Sequence, residues 1–182
     1  SPLREDLARI DRINNIRTLQ AEVARLHASG RPILFLFGSS GDFSDSSQNI
    51  AWALQGGLSL PNKDYYTKTD DKSKQTRDGL VKHIARMFVL LGDKPDQAAK
   101  SADTVMRIES QLAEISMDPV ERRNPAAQNN KRKIAELRTL TPDFSWTEYL
   151  GARGLPNTPL VNIAQLKFFE GMNRMLKTDP LA

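Results

Sequence analysis

Apolar residues recur along this chain at two periods, and the switches between them divide it into elements. Leu3, Leu7, Ile10 and Ile13 fall three and four apart, one face of a helix, until Asn14-Asn15 breaks the stripe. Leu19, Val23 and Leu26 resume it, with Thr18 placed to cap a second short helix and Gly30 to end it. Arg31-Pro32 opens the compact run Ile33-Leu34-Phe35-Leu36-Phe37, whose length and β-forming residues predict a strand. Residues 38–47 are small and polar and predict a loop. Gln48 to Leu54 predicts a second strand, with Ile50 and Trp52 on one face and Ala51 and Ala53 on the other. The expected product is a β-hairpin with a long loop, from Pro32 to Leu54.

The hairpin runs into a corner, Gln55 to Tyr66, written in turn chemistry. Gly56 and Gly57 can take positive φ, Pro61 fixes φ, and Asn62 and Asp64 can bond their own backbone. Leu60-Pro61-Asn62-Lys63 predicts a type I turn with Asp64 as a helix cap. Tyr65 and Tyr66 have apolar faces and polar tips, and one of them should be buried against the helices that follow. Leu80, Ile84, Met87, Phe88 and Leu91 mark one helix face, stopped by Gly92-Asp93-Lys94-Pro95. Ala98, Ala102, Val105, Ile108, Leu112 and Ile115 mark another, from about Gln97 to Met117. Residues 72–117 should therefore form an antiparallel αα-hairpin, with Met87, Met106 and Met117 as core filler.

Pro119 to Lys133 is polar and basic, which predicts a loop with helix-end charges. Ile134, Leu137 and Leu140 mark a short helix closed by Thr141-Pro142. Ser145-Trp146-Thr147-Glu148 has the form of a capping box, opening a helix from Trp146 to Arg153 that stops at Gly154. Pro156 and Pro159 bracket an extended link, and Val161-Asn162-Ile163 is a strand-like stub. Leu166, Phe169, Met172 and Leu176 mark a last helix that should end by Asp179-Pro180. The predicted fold is mainly α with a small β-hairpin: a long antiparallel αα-hairpin plus shorter helices, in a single domain over 1–182.

Composition narrows the function. The 182 residues, 39% hydrophobic and 26% charged, suit a folded globular chain. No apolar stretch approaches the ~20 residues that span a bilayer, and Ser1 to Asp6 has no signal-peptide core. There are no cysteines, so disulfides and thiolate chemistry are excluded. The net charge of +4 is mild and its charges are mostly interleaved, which argues against nucleic acid as partner and leaves binding through residues 122–133 as a weaker alternative.

The candidate chemical motifs fail on spacing. Gly38-Ser39-Ser40-Gly41 lacks the Gly-Lys-Ser/Thr ending of a phosphate loop and the Gly-x-Ser-x-Gly of a nucleophile elbow. Asp42 and Asp45 match no calcium loop. His83 has Ile84 and Met87 where a zinc helix needs glutamate and a second histidine. His27 sits near a helix C-terminus, where its cation would be favoured. No catalytic or metal-ligating residue is assigned.

The corner also carries a resemblance. Gln55, Gly57, Leu58, Leu60, Pro61, Tyr65 and Tyr66 spell Gln-x-Gly-Leu-x-Leu-Pro-x-x-x-Tyr-Tyr, which resembles a signature of the neprilysin and endothelin-converting-enzyme family of zinc metallopeptidases. Asp45-Ser46-Ser47 resembles the family's strand entry. Arg122, Pro125 and Asn130-Lys131, followed by Ala135-Glu136-Leu137, resemble its Arg-x-Pro…Tyr-Asn-Lys-Met-Thr-Leu-Ala-Glu-Leu segment. Phe144-Ser145-Trp146 and Val161-Asn162-Ile163 follow in order, so the likeness covers nearly the whole chain. It departs at Asn129, where the family has Tyr, and at Arg132-Lys133, where it has Met-Thr.

The resemblance implies the non-catalytic helical lobe of a two-lobed peptidase, and with the missing cysteines a bacterial member of the family. It implies zinc in a separate catalytic lobe, since nothing here corresponds to His-Glu-x-x-His. That lobe and peptide substrates are the partners it implies, in a periplasmic or secreted setting. The alternative is a free-standing helical interaction module.

Overall fold

The computed structural model describes residues 3–179. Ser1 and Pro2 at the start, and Pro180 at the expected end of the last helix, lie outside the described residues. The elements in order are α1 (Arg4–Ile10), α2 (Ile16–Ala28), β1 (Phe35–Gly41), β2 (Asn49–Gln55), α3 (Asp64–Thr67), α4 (Asp71–Leu91) and α5 (Pro95–Ile115). Two 3₁₀ turns, Glu121–Arg123 and Pro125–Gln128, lead to β3 (Lys131–Lys133), α6 (Ile134–Leu140), α7 (Trp146–Ala152), β4 (Leu160–Ile163) and α8 (Leu166–Thr178). The fold is mainly helical with one small sheet, as the periodicity predicts. It divides into two compact units: Ser1–Gly57 with Val120–Ala182, and Leu58–Pro119.

The first unit is built on a four-stranded sheet of order β1-β2-β4-β3. β1 and β2 form the expected antiparallel hairpin, with Phe35 opposite Gln55 and Gly41 opposite Asn49. Residues 38–41, expected in the loop, are strand instead. A ladder is made by backbone groups, which glycine and serine carry as any residue does. The loop shrinks to residues 42–48 and is closed by the Asp42 N–H on the Gln48 carbonyl at 2.9 Å. The stub at 161–163 belongs to β4, which lies parallel to β2 with Ala51 opposite Val161. β3 corrects a second expectation, because the basic stretch read as loop pairs antiparallel with β4, Lys131 opposite Asn162. Charged side chains on such an edge strand discourage further pairing.

Side chains alternate across a sheet, so Phe35, Ala53, Val161 and Ile163 share a face, and all four are fully buried. The Phe35 ring is the hub of this interior. It meets the rings of His27, Phe144, Trp146, Tyr149 and Phe169 at centroid distances of 5.0 to 5.8 Å. Most of these pairs are edge-on or tilted, the geometry that aromatic quadrupoles favour. α7 delivers Trp146 and Tyr149, and α8 delivers Phe169, because each helix carries its apolar residues on one stripe.

The N-terminal helices depart from expectation in detail. α1 stops at Ile10, because the N–H groups of Arg12 and Ile13 bond three residues back and tighten the chain into a turn. Asn15, not Thr18, caps α2: its side chain accepts the Thr18 N–H at 2.9 Å while the Thr18 hydroxyl accepts the Asn15 N–H at 3.3 Å. His27 is buried rather than exposed at the helix end.

In the second unit, α4 and α5 form the expected αα-hairpin. Asp70 caps α4 through Ser73, and Gly92 ends it in the left-handed region at φ 114°. Pro95 is the first residue of α5 rather than part of the stop, a place where its missing N–H is not needed. α5 ends at Ile115, so Met117 lies beyond it. Asp64 is the first residue of α3 rather than its cap, and the Asn62 side chain accepts its N–H at 2.9 Å. α5 buries Ala98, Ala102, Leu112 and Ala113, whereas α4 has no buried residue. Met87, expected as core filler, is 46% exposed.

Candidate functional site

The signature corner divides between the units: Gln55 to Gly57 belong to the first and Leu58 to Tyr66 to the second. Each end is held by its own buried polar cluster.

In the first unit the cluster is a chain of side-chain amides. The Gln165 side chain accepts the Gln55 N–H at 2.8 Å and donates to the Gln128 side chain at 3.1 Å. Asn162 donates to the Gln128 carbonyl at 2.8 Å and accepts the Asn130 N–H at 2.7 Å. The Asn130 side chain closes the set on the Ala127 carbonyl at 3.0 Å. Asn162 and Gln165 are fully buried, where an unpaired amide would cost several kcal/mol, so the fit of each partner fixes this loop. Gly56 lies against β1 so closely that a Cβ there would come 3.1 Å from the Phe35 Cα, and Gly57 has φ 76°. Of the downstream signature residues, Arg122 lends its carbonyl to the Gln128 side chain at 2.6 Å. Pro125 opens the second 3₁₀ turn, capped by Asn124.

In the second unit the anchor is Glu109 of α5. Its carboxylate accepts the Ser59 N–H at 3.0 Å, the Ser59 hydroxyl at 2.7 Å and the Tyr66 hydroxyl. Tyr66 also accepts the Leu60 N–H at 2.9 Å. Burial and the neighbouring carboxylate push the Tyr66 phenol up, so it stays a donor at any ordinary pH. Tyr66 is thus the buried tyrosine of the pair, while Tyr65 is exposed and its carbonyl accepts from Arg77. Leu58 and Leu60 are half-buried and Pro61 is exposed. Glu109 went unnoticed in the sequence, although a lone carboxylate on the apolar stripe of α5 is a signal for a buried acceptor.

A hollow of about 800 Å³ opens on the first unit between the β1–β2 hairpin and residues 153–160. Phe37, Asn49 and Ile50 line one side and Leu155, Asn157 and Thr158 the other. Arg153 holds its guanidinium 5.7 Å from the Phe37 ring centre, a cation–π contact. Beside it, Lys131 clamps the hairpin loop through Asp42 at 2.8 Å and Ser44 at 3.0 Å, and this cation holds the Asp42 carboxyl below its usual range.

Many of these hydrogen bonds hold backbone groups in place. What they position is decided by likeness. The model of peptidase family M13, in its N-terminal part, matches residues 1–182. The chain belongs to peptidase family M13. It is 29% identical over 116 residues to neprilysin-3 of Drosophila melanogaster, covering 64% of this chain and 15% of that protein. Endothelin-converting enzyme 1 of Bos taurus is 30% identical over 142 residues, 77% of this chain and 18% of the enzyme. The Mycobacterium tuberculosis zinc metalloprotease Zmp1, solved with an inhibitor, superposes with a TM-score of 0.92 at 27% identity. That match covers 99% of this chain and 28% of Zmp1. PepO of Lactobacillus rhamnosis shares the fold, with a TM-score of 0.71 at 16% identity. The chain thus spans less than a quarter of the curated M13 relatives it matches.

The residues described here do not fit a zinc site of the M13 relatives. Both ring nitrogens of His27 are occupied, Nδ1 at 2.7 Å from the Tyr149 hydroxyl and Nε2 at 2.8 Å from the Ile33 carbonyl. Nε2 therefore carries the proton and Nδ1 accepts from Tyr149. Burial holds the His27 pKa down, and a smaller push comes from Arg153. His83 belongs to the other unit, and among the described residues no three His, Cys, Asp or Glu side chains group as metal ligands. No helix among them is long and apolar enough to cross a membrane.

Proposed function

We propose that residues 1–182 act as one non-catalytic lobe of a zinc metalloendopeptidase of the M13 family. The lobe encloses the active-site cavity, admits short peptides and keeps folded proteins out. The observation that carries this reading is the pairing of two coverages: Zmp1 matches 99% of this chain, while this chain matches 28% of Zmp1. Catalysis belongs to the remaining polypeptide, where zinc is held. The signature residues Gln55, Gly57, Leu58, Leu60, Pro61, Tyr65, Tyr66, Arg122, Pro125 and Asn130 serve this function by shape, since their contacts hold backbone. Enclosure contributes by excluding water and limiting access, not by supplying a reacting group. The likeness to endothelin-converting enzyme supports a periplasmic or secreted setting, which fractionation of the source cells checks.

The test compares the 182-residue chain with the longer polypeptide that contains it. Quenched peptides of about ten residues and a folded protein of the same cleavage sequence serve as substrates, with bound zinc measured alongside. The longer polypeptide should bind zinc and cleave the peptides but spare the folded protein, and the 182-residue chain should do neither. Turnover by the short chain, or equal cleavage of both substrates by the long one, overturns the reading.

A further inference from the structure

The second unit leaves an apolar helix face only partly covered: Leu80, Ile84 and Phe88 are half-buried, while Met87 and Leu91 are exposed. Leu80, Ile84, Met87, Phe88 and Leu91 line a groove of about 490 Å³ along α4, and Val105 of α5 closes its far side. On the same helix end, Val89 is 43% exposed, Leu90 74% and Leu91 47%. Scattered apolar residues on a surface are ordinary, but Met87, Leu90 and Leu91 fall three and four apart beside Leu80, Ile84 and Phe88, while Val89 falls on the opposite side of α4. The groove's spacing of four, three, one and three is that of one helix face, against which the ridges of a second helix can pack. Of the ionisable residues between Gly79 and Leu91, His83 lines the groove, while Lys82 and Arg86 fall on other sides of the helix at about 3.6 residues per turn.

We infer that the C-terminal half of α4 is the seat of an amphipathic helix from the part of the polypeptide outside residues 1–182. The inference rests on the reading of this chain as one lobe of a longer enzyme. The amount of chain available supports this occupant, since residues 1–182 correspond to 28% of Zmp1. The chemistry of the face defines it further: leucine-sized anchors at helical spacing, with a polar side chain facing His83. α4 then serves as a joint between this lobe and the rest of the enzyme.

The chain has no cysteine, so a single introduced thiol is an unambiguous probe within it. Met87→Cys and, separately, Leu91→Cys are placed in the 182-residue chain and in the longer polypeptide. Alkylation is followed by mass spectrometry of the α4 peptide, with circular dichroism as the check on folding. Burial under a docked helix should slow alkylation at both positions about tenfold or more in the longer polypeptide, through the cost of local opening. Equal rates in the two proteins, or a reading frame that ends at Ala182, overturn the inference. Protection in the short chain that grows with concentration and vanishes in Leu90→Glu assigns the face to a second copy, which also overturns it. Protection in a longer polypeptide that neither binds zinc nor cleaves peptide leaves the joint standing and removes the peptidase reading.

Discussion

The two units solve the problem of a stable interior in opposite ways. The first surrounds one phenylalanine of a sheet with aromatic rings from helices distant in sequence, and seals its loops with amides. The second is a helical hairpin whose partners are local, and α4, one of its two equally long helices, has no buried residue. Its firmest contact is polar, a glutamate that gathers a serine and a tyrosine from the signature corner. The lesson is that burial concentrates where the chain must bring remote segments together, while local hairpins are held by caps and one well-satisfied charge.

Breaking the hub should have the largest effect. Phe35→Ala removes a fully buried ring and should cost about 3–5 kcal/mol, read by urea unfolding with tryptophan fluorescence. Both tryptophans, Trp52 and Trp146, lie in the first unit, so the probe reports on it directly. A loss below about 1 kcal/mol would mean the ring cluster is not what holds that unit. Tyr66→Phe keeps the ring and deletes the hydroxyl, leaving the Leu60 N–H without its partner and Glu109 Oε2 with the Ser59 N–H alone. About 1–3 kcal/mol should be lost, and amide exchange should quicken in residues 58–66. If exchange there is unchanged, the glutamate is not the anchor of the second unit.

The third prediction sharpens the contrast through pH. Burial holds the His27 pKa down in the fold, against a smaller opposing effect of the Ile33 hydrogen bond, whereas the unfolded chain protonates near pH 6.5. The unfolded state therefore binds more protons as pH falls, and stability of the first unit should decline from pH 7 toward pH 5. His27→Gln should flatten that slope. Asp6 and Asp42, whose carboxyls are held down by Arg31 and Lys131, act only below about pH 4. A wild-type slope that persists in His27→Gln would assign the titration elsewhere. The smallest effect belongs to the α4 cap: Gly92→Ala places a Cβ at φ 114° and should cost about 1 kcal/mol. Thermal midpoints of the two proteins within error of each other would show that the helix end frays without penalty.

Much of this was legible in the residues. Periodicity placed α4, α5 and α8, the capping pattern at Ser145 placed α7, and the glycines at 92 and 154 marked the ends of α4 and α7. The β-hairpin was visible as well, though β1 runs four residues into a stretch that composition assigns to loop. What could not be read was pairing between remote segments. Nothing in Lys131-Arg132-Lys133 announces a strand, because its partner is β4 and the ladder depends on that neighbour alone. His27 misled for a similar reason, since its helix-end position says nothing of Tyr149, which arrives 122 residues later. At the corner, turn residues and tyrosines were plain, while the acceptor Glu109 and the amides Gln128, Asn162 and Gln165 stood in other elements. Asn162 between Val161 and Ile163 was the one local hint, a polar side chain in an apolar stub.

The parallel contact between β2 and β4 also orders events on the ribosome. β1 and β2 leave the exit tunnel together, and the whole second unit follows before β4 is made. At typical elongation rates, the roughly hundred residues between β2 and β4 take about 5–20 s to synthesise. Throughout that interval one side of β2 has its N–H and C=O groups unsatisfied, in a nascent segment that reads Asn-Ile-Ala-Trp-Ala-Leu-Gln. The inserted helical hairpin can mature during the wait because its contacts are local. The sheet cannot, so the interval before β4 emerges is when this chain is most exposed to misassociation with its neighbours on a polysome.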